Sequence, residues 1–179
     1  PNLHKIGYSD DKTYALCLQY SGYDDYDIKY MKLLIKYGAN VNDTTSMNPI
    51  WATLRDKRQG REKIKYLVEQ GLNLNYSQTG TPAICGQALI YKWGMVLFLM
   101  DLGADPLAGD DPKFHVAASV QRYFDKGFDV NSEYGKMALE VKRRLEQRGV
   151  KFPYRPKTKS DSIKSEKQPK ESFYVRRKK

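Results

Sequence analysis

The chain has 179 residues, with 31 Lys and Arg against 21 Asp and Glu, a formal net charge of +10. At roughly 100–200 residues per domain this allows one domain and an appendage. A hydrophobic fraction of 40% is enough for a core, which excludes a chain disordered throughout. No run approaches the ~18 apolar residues of a membrane span, and the longest, from Met95 to Met100, is far too short. The polar opening residues predict no secretory leader. Two cysteines, Cys17 and Cys85, make no disulfide framework and point to a reducing, intracellular compartment.

The charge is concentrated at one end. Residues 151–179 carry 11 Lys and Arg against three Asp and Glu, a net of +8, whereas residues 1–150 carry a net of +2. From Pro156 to Glu171 the only aliphatic residue is Ile163. Such a segment cannot bury enough apolar surface to offset its ordering entropy. The expected organisation is therefore a folded unit over residues 1–150 and a flexible basic tail over 151–179.

In chain order, a first helix is predicted from Lys12 to Tyr20, and Asp24 or Asp25 then caps a second that runs to Tyr37. From there one pattern recurs: an apolar helix end, a Gly, a small or polar residue, and an apolar–Asn step. It reads LLIKYGANVN (33–42), YLVEQGLNLN (66–75), FLMDLGADPL (98–107) and YFDKGFDVN (123–131). The glycines, Gly38, Gly71, Gly103 and Gly127, are spaced 33, 32 and 24 residues apart. Ile64, Leu67 and Val68 show the helical spacing that precedes each one. A Gly just past the last helical residue supplies the left-handed C-terminal cap. The following helices open on Asn48-Pro49, Thr81-Pro82 and Asp111-Pro112, where the first residue is expected to cap and Pro to take the first helical position. A closing unit, Tyr134-Gly135-Lys136-Met137-Ala138-Leu139-Glu140-Val141, is followed by a charged helix from Lys142 to Arg148.

Those residues resemble the ankyrin repeat over about residues 10–150. Gly60-Arg61-Glu62-Lys63-Ile64-Lys65-Tyr66-Leu67-Val68-Glu69-Gln70-Gly71 is similar to the family's outer helix, and Phe114-His115-Val116-Ala117-Ala118 to its inner one. The resemblance implies an all-α, helix-turn-helix solenoid of about four repeats, closed by a polar C-terminal capping helix and followed by the basic tail. In such a stack each unit buries its apolar face only against its neighbours. The segment from Phe114 to Gly127 is too short for two full helices and is expected to be a shortened or merged repeat.

Candidate chemistry is sparse. His4 and His115 have no Cys or paired carboxylate at ligand spacing, so no metal site is expected. By the resemblance, His115 ties adjacent turns together through its ring nitrogens. Cys17 and Cys85 lack a CxxC context and read as buried, inert thiols. Asp24-Asp25 and Asp110-Asp111 read as helix-start carboxylates rather than an acid–base pair. No phosphate-binding glycine loop or serine-nucleophile motif is present. No enzymatic activity and no cofactor are expected.

The function that the resemblance implies is protein recognition by an adaptor, scaffold or inhibitor, monomeric when alone. Its concave face and turn fingers would hold the partner. By position in the motif, the finger residues are Asp43, Thr44, Thr45, Ser46 and Met47, then Tyr76, Ser77, Gln78 and Thr79. Arg55, Asp56 and Ala88 would face the groove from inner helices. The 14 tyrosines are crowded towards the N-terminal quarter and suit an interface, while Trp51 and Trp93 read as core or groove packing. The alternative reading is a nucleic-acid or ribonucleoprotein component whose tail binds phosphate. There Arg176, Arg177, Lys178 and Lys179 stand beside Phe173-Tyr174, cations next to aromatics. Lys/Arg-rich runs also act as nuclear localisation signals, so the expected location is cytoplasmic or nuclear. The near-neutral body favours a protein partner for the repeats.

Overall fold

A computed structural model describes residues 27–42, 49–77 and 79–156. Among them the chain forms α1 (Ile28–Lys36), α2 (Ile50–Thr53), α3 (Gly60–Glu69), α4 (Ala83–Leu89), α5 (Trp93–Asp101), a 3-10 turn (Pro112–Phe114), α6 (Val116–Asp125) and α7 (Glu133–Gln147), with no strand. The described chain is thus all-helical, as expected, and none of these helices is long and apolar enough to cross a membrane. The helix expected from Lys12 to Tyr20 lies outside the described residues, as do Asp24 and Asp25. The cap of α1 is Asp27, whose carboxylate accepts the Lys29 amide at 3.0 Å.

The helices pair as hairpins, α2 with α3, α4 with α5 and α6 with α7. They also stack in two rows: α1 touches α3 and α5 touches α7 on one side, while α4 touches α6 on the other. Amphipathic helices bury one stripe against such neighbours; in α7 that stripe is Gly135, Ala138, Val141 and Leu145. The opposite face of α7 is charged, with Glu133, Lys136, Arg143 and Glu146 exposed. α7 is one continuous helix, not a unit over 134–141 followed by another over 142–148, because neither Gly nor Pro interrupts it after Gly135. α5 is apolar nearly all round, with Trp93, Val96, Phe98, Leu99 and Met100 buried, because α4 and α7 flank it. Leu67 of α3 is fully buried, as its spacing predicts.

All four pattern glycines adopt positive φ: 95° at Gly38, 88° at Gly71, 92° at Gly103 and 69° at Gly127. After α1, α3 and α5 the paired bonds of a Schellman motif close the helix, for example Gly71 N–H to Val68 at 2.9 Å and Leu72 N–H to Leu67 at 2.9 Å. A further Schellman turn that the pattern did not reveal closes α7, with Gly149 bonding Glu146 at 2.9 Å and Val150 bonding Leu145 at 3.0 Å. Gly127 has a different place. It follows α6, a helix of the other row, and leads into α7 within the same hairpin. The short stretch from Phe114 to Gly127 therefore contributes one α-helix, and its hairpin partner is α7.

The expected Pro-based helix starts are partly corrected. Pro82 itself is the N-cap of α4 and no side chain caps there. Asp111 does cap, accepting the Lys113 amide at 2.9 Å, but it opens the 3-10 turn, and α6 begins only after His115.

Asn side chains tie successive turns together. Asn42 donates to the Gly71 carbonyl at 2.7 Å and accepts the Asn73 amide at 2.7 Å. Asn75 accepts the Asp105 amide at 2.8 Å in the same relation. The third turn has Leu107 at that position, a side chain with no amide to make such a bridge; a separate aromatic cluster gathers at the α4–α5 connection. Tyr91, held at φ 58°, lies 5.4–5.7 Å from the rings of Trp93, Tyr123 and Phe128, with Lys126 Nζ 5.4 Å from its centroid. A left-handed non-Gly residue costs roughly 1–2 kcal/mol, which this cluster offsets.

The folded unit extends past residue 150. Phe152 and Tyr154 pack on the core, the Tyr154 amide donates to Gln121 Oε1 at 2.8 Å, and Lys142 Nζ sits 5.4 Å from the Phe152 ring centroid. Residues 151–156, assigned to the tail by sequence, are thus described against the helices, and the rest of the tail lies outside the described residues.

Candidate partner-binding groove and turns

Of the finger residues, Asp43, Thr44, Thr45, Ser46, Met47 and Gln78 lie outside the described residues, as do Arg176, Arg177, Lys178 and Lys179 of the tail. Tyr76, Ser77 and Thr79 are described in the second turn. Tyr76 and Ser77 are half-buried and Thr79 is exposed. Ser77 shapes this loop: its Oγ accepts the amides of Thr79 at 3.2 Å and Thr81 at 3.0 Å.

Arg55 and Asp56 are not on an inner helix. α2 ends at Thr53, which places both in the corner joining α2 to α3. The side chain of Ala88 does not face a groove either: it is fully buried on α4 as part of the core. Asp56 organises the corner. Its Oδ1 accepts the amides of Arg58 at 2.8 Å and Gln59 at 2.9 Å, and its Oδ2 meets Lys63 Nζ at 2.5 Å. Burial alone would raise this carboxyl, but the Lys63 bond and the two amides outweigh it and hold it below its ordinary value. The side chains of Asp56 and Lys63 are only 10% and 8% exposed, so each offsets part of the other's burial cost. The sequence signal for this pair was available: Lys63 lies four residues before Leu67, on the apolar stripe of α3, where a cation needs a buried partner.

A groove of about 940 Å³ opens beside this corner. It runs between the α2–α3 and α4–α5 connections, at the ends of the hairpins away from the Gly71 and Gly103 turns. Trp51, Gly86, Ile90 and Met95 supply apolar lining, and Arg55, Lys57, Arg58, Arg61 and Lys92 supply cations. The acids are Asp56, already neutralised by Lys63, and Glu62. Trp51 lies so close over Gly86 that a Cβ there would overlap its Cη2, so this glycine sets the depth of the indole. Arg61 staples one wall: Nη2 donates to the Gly94 carbonyl at 3.1 Å, and the guanidinium lies 4.8 Å from the Phe98 ring centroid.

His4 and Cys17 lie outside the described residues; Cys85 and His115 are described. Cys85 is buried, and burial pushes its thiol up to about 12, which keeps it protonated and unreactive at neutral pH. His115 spans two segments, with Nε2 3.3 Å from the Gly109 carbonyl and Nδ1 3.3 Å from the Tyr154 hydroxyl. Among the described residues no three His, Cys, Asp or Glu side chains gather as metal ligands would. The sequence matches no family model and no curated protein.

Proposed function

We propose that this chain is a non-catalytic protein-recognition module of the ankyrin-repeat type, an adaptor, scaffold or inhibitor that holds a protein partner on its turns and concave face. The observation that carries this reading is the regular turn architecture: Asn42 bonds the Gly71-Leu72-Asn73 turn and Asn75 the Gly103-Ala104-Asp105 turn, so the glycine turns are tied to one another in register. Turn bases tied together in this way suit recognition of a protein surface, because less conformational entropy is lost at those bases on binding. The expected partner-contacting residues are those of the two fingers, with Met47 and Tyr76 as the large side chains.

The test is to purify partners with the intact chain, with and without nuclease, and to measure the affinity of the recovered protein for Met47→Ala/Tyr76→Ala. Weakening by at least tenfold, about 1.4 kcal/mol, supports the reading. Unchanged affinity moves the contact elsewhere. The competing reading, phosphate binding by the tail, draws on the +8 net charge of residues 151–179. It would be favoured if the partner were lost on nuclease treatment and RNA affinity fell steeply with salt.

A further inference from the structure

We infer that the corner groove between the α2–α3 and α4–α5 connections binds an extended acidic peptide segment of a partner protein that carries one apolar side chain. The inference rests on the protein-recognition reading. It goes beyond that reading by placing a second contact at the edge opposite the glycine turns.

Charge carries the argument first. Arg55, Lys57 and Lys92 are exposed on the rim, and none has a carboxylate at ion-pair distance among the described residues. Asp56, the acid nearest in sequence to Arg55 and Lys57, cannot neutralise them, because Lys63 and two backbone amides already occupy both its oxygens. α5 also begins at this edge with no side-chain cap and no acid in its first turn, so its positive dipole end adds to the field. An unneutralised cationic rim over a low-dielectric wall attracts carboxylates.

The lining decides which kind of polyanion fits. Ile90 is 59% exposed beside the half-buried Met95, an aliphatic floor suited to a Leu-, Ile- or Phe-sized side chain. Single-stranded nucleic acid would instead want open aromatic faces for base stacking. The one aromatic in the lining, Trp51, is already packed against Gly86. An apolar anchor flanked by carboxylates matches cations around an aliphatic floor; a row of phosphates and bases does not.

The test uses the full chain and a short fluorescein-labelled peptide of Asp and Glu around a central Leu-Phe pair, read by anisotropy. The groove variant is Arg55→Glu/Lys57→Glu/Lys92→Glu, and the control is the tail variant Arg176→Glu/Arg177→Glu/Lys178→Glu/Lys179→Glu. The groove variant should weaken the peptide at least tenfold, while the tail variant stays within about threefold of the parent. Both should keep the parental circular dichroism, since every altered groove residue is exposed. Ile90→Ser should cost about fivefold with the Leu-Phe peptide and nothing with a Ser-Ser version of it. Unchanged binding by the groove variant overturns the proposal, as does loss confined to the tail variant. Groove-dependent binding of an oligouridylate with none of the peptide would assign the groove to nucleic acid instead. If the acidic peptide fails while Met47→Ala/Tyr76→Ala still weakens the purified partner, the groove inference falls and the recognition reading stands. Failure of both removes the recognition reading as well.

Discussion

The turns after α3 and α6 are written in the same five-residue pattern, Gly71-Leu72-Asn73-Leu74-Asn75 and Gly127-Phe128-Asp129-Val130-Asn131, yet they occupy different places in the fold. Locally they agree. In both, the glycine is left-handed and the third residue accepts the amide two positions on, Asn75 at 3.0 Å and Asn131 at 2.8 Å. Beyond that they diverge. The first leaves its hairpin, and Asn75 reaches across to the Asp105 amide of the next turn. The second stays within a hairpin, and Phe128 packs on Tyr123 with ring centroids 4.7 Å apart. A turn motif therefore reports how a helix ends, whereas its place in the stack depends on what packs around it. The region up to Asn75 is held by side-chain bridges to backbone, and the region from Tyr91 to Phe128 by aromatic contact.

The largest test of that difference compares two places in the one core. Trp93→Ala should cost about 3–5 kcal/mol and Leu67→Ala about 2–5 kcal/mol in urea unfolding. Trp93→Phe should cost much less, because the indole Nε1 is buried without a hydrogen-bond partner. A Trp93→Ala variant more stable than Leu67→Ala would remove the aromatic cluster as the support of its region. Next in size is the Asp56–Lys63 pair. Asp56→Ala removes the carboxylate beside a buried ammonium and should cost about 3 kcal/mol, most of it recovered when Lys63→Met is added. An additive double variant would show that the two charges do not depend on each other.

The C-terminal segment sharpens the comparison at the other end of the chain. Ending the protein after residue 156 should leave the melting temperature unchanged, whereas ending it after 150 should lower it by about 5 °C. The difference is the packing of Phe152 and Tyr154 and the bonds of Tyr154 to Gln121 and His115. Equal melting of both truncations would show that Phe152 and Tyr154 add nothing to stability. A smaller effect separates the two like-written turns directly. Asn75→Ala should cost about 1 kcal/mol by losing the bridge to Asp105, while Asn131→Ala should stay within about 0.5 kcal/mol. Equal costs would mean that the bridge adds nothing to the turn.

The smallest effect is pH-dependent. On α7, Glu140 accepts from Arg143 at 2.7 Å and Arg144 at 2.8 Å, and these bonds lower its carboxyl to about 2. Because the folded value lies below the unfolded one, the stabilisation is complete above the ordinary carboxylate range and is lost as pH falls towards 2. Glu140→Gln should therefore melt slightly lower than the parent at pH 7, by well under about 1 kcal/mol for so solvated a group, and match it near pH 2. A gap that widened in acid would reverse the sign of this coupling.

What the sequence determined by itself was local. The spacing of Gly38, Gly71 and Gly103, the stripe through Ile64 and Leu67, and the all-helical character were legible because each is fixed by bonds and contacts within a few residues. Cys85 as a buried thiol followed from its setting in an apolar helix. Tertiary structure decided the rest. Ala88 reads as groove-facing until α6 is seen against α4. Arg55 and Asp56 read as helical until α2 is seen to stop at Thr53, and only then does the corner with Lys63 and the cationic rim exist. Gly127 carries the same turn signal as Gly71, and nothing within five residues distinguishes an inter-hairpin turn from an intra-hairpin one. The short-range hydrogen bonds that make a turn are alike in both places, and only the long-range burial of α6 and α7 against α4 and α5 selects between them.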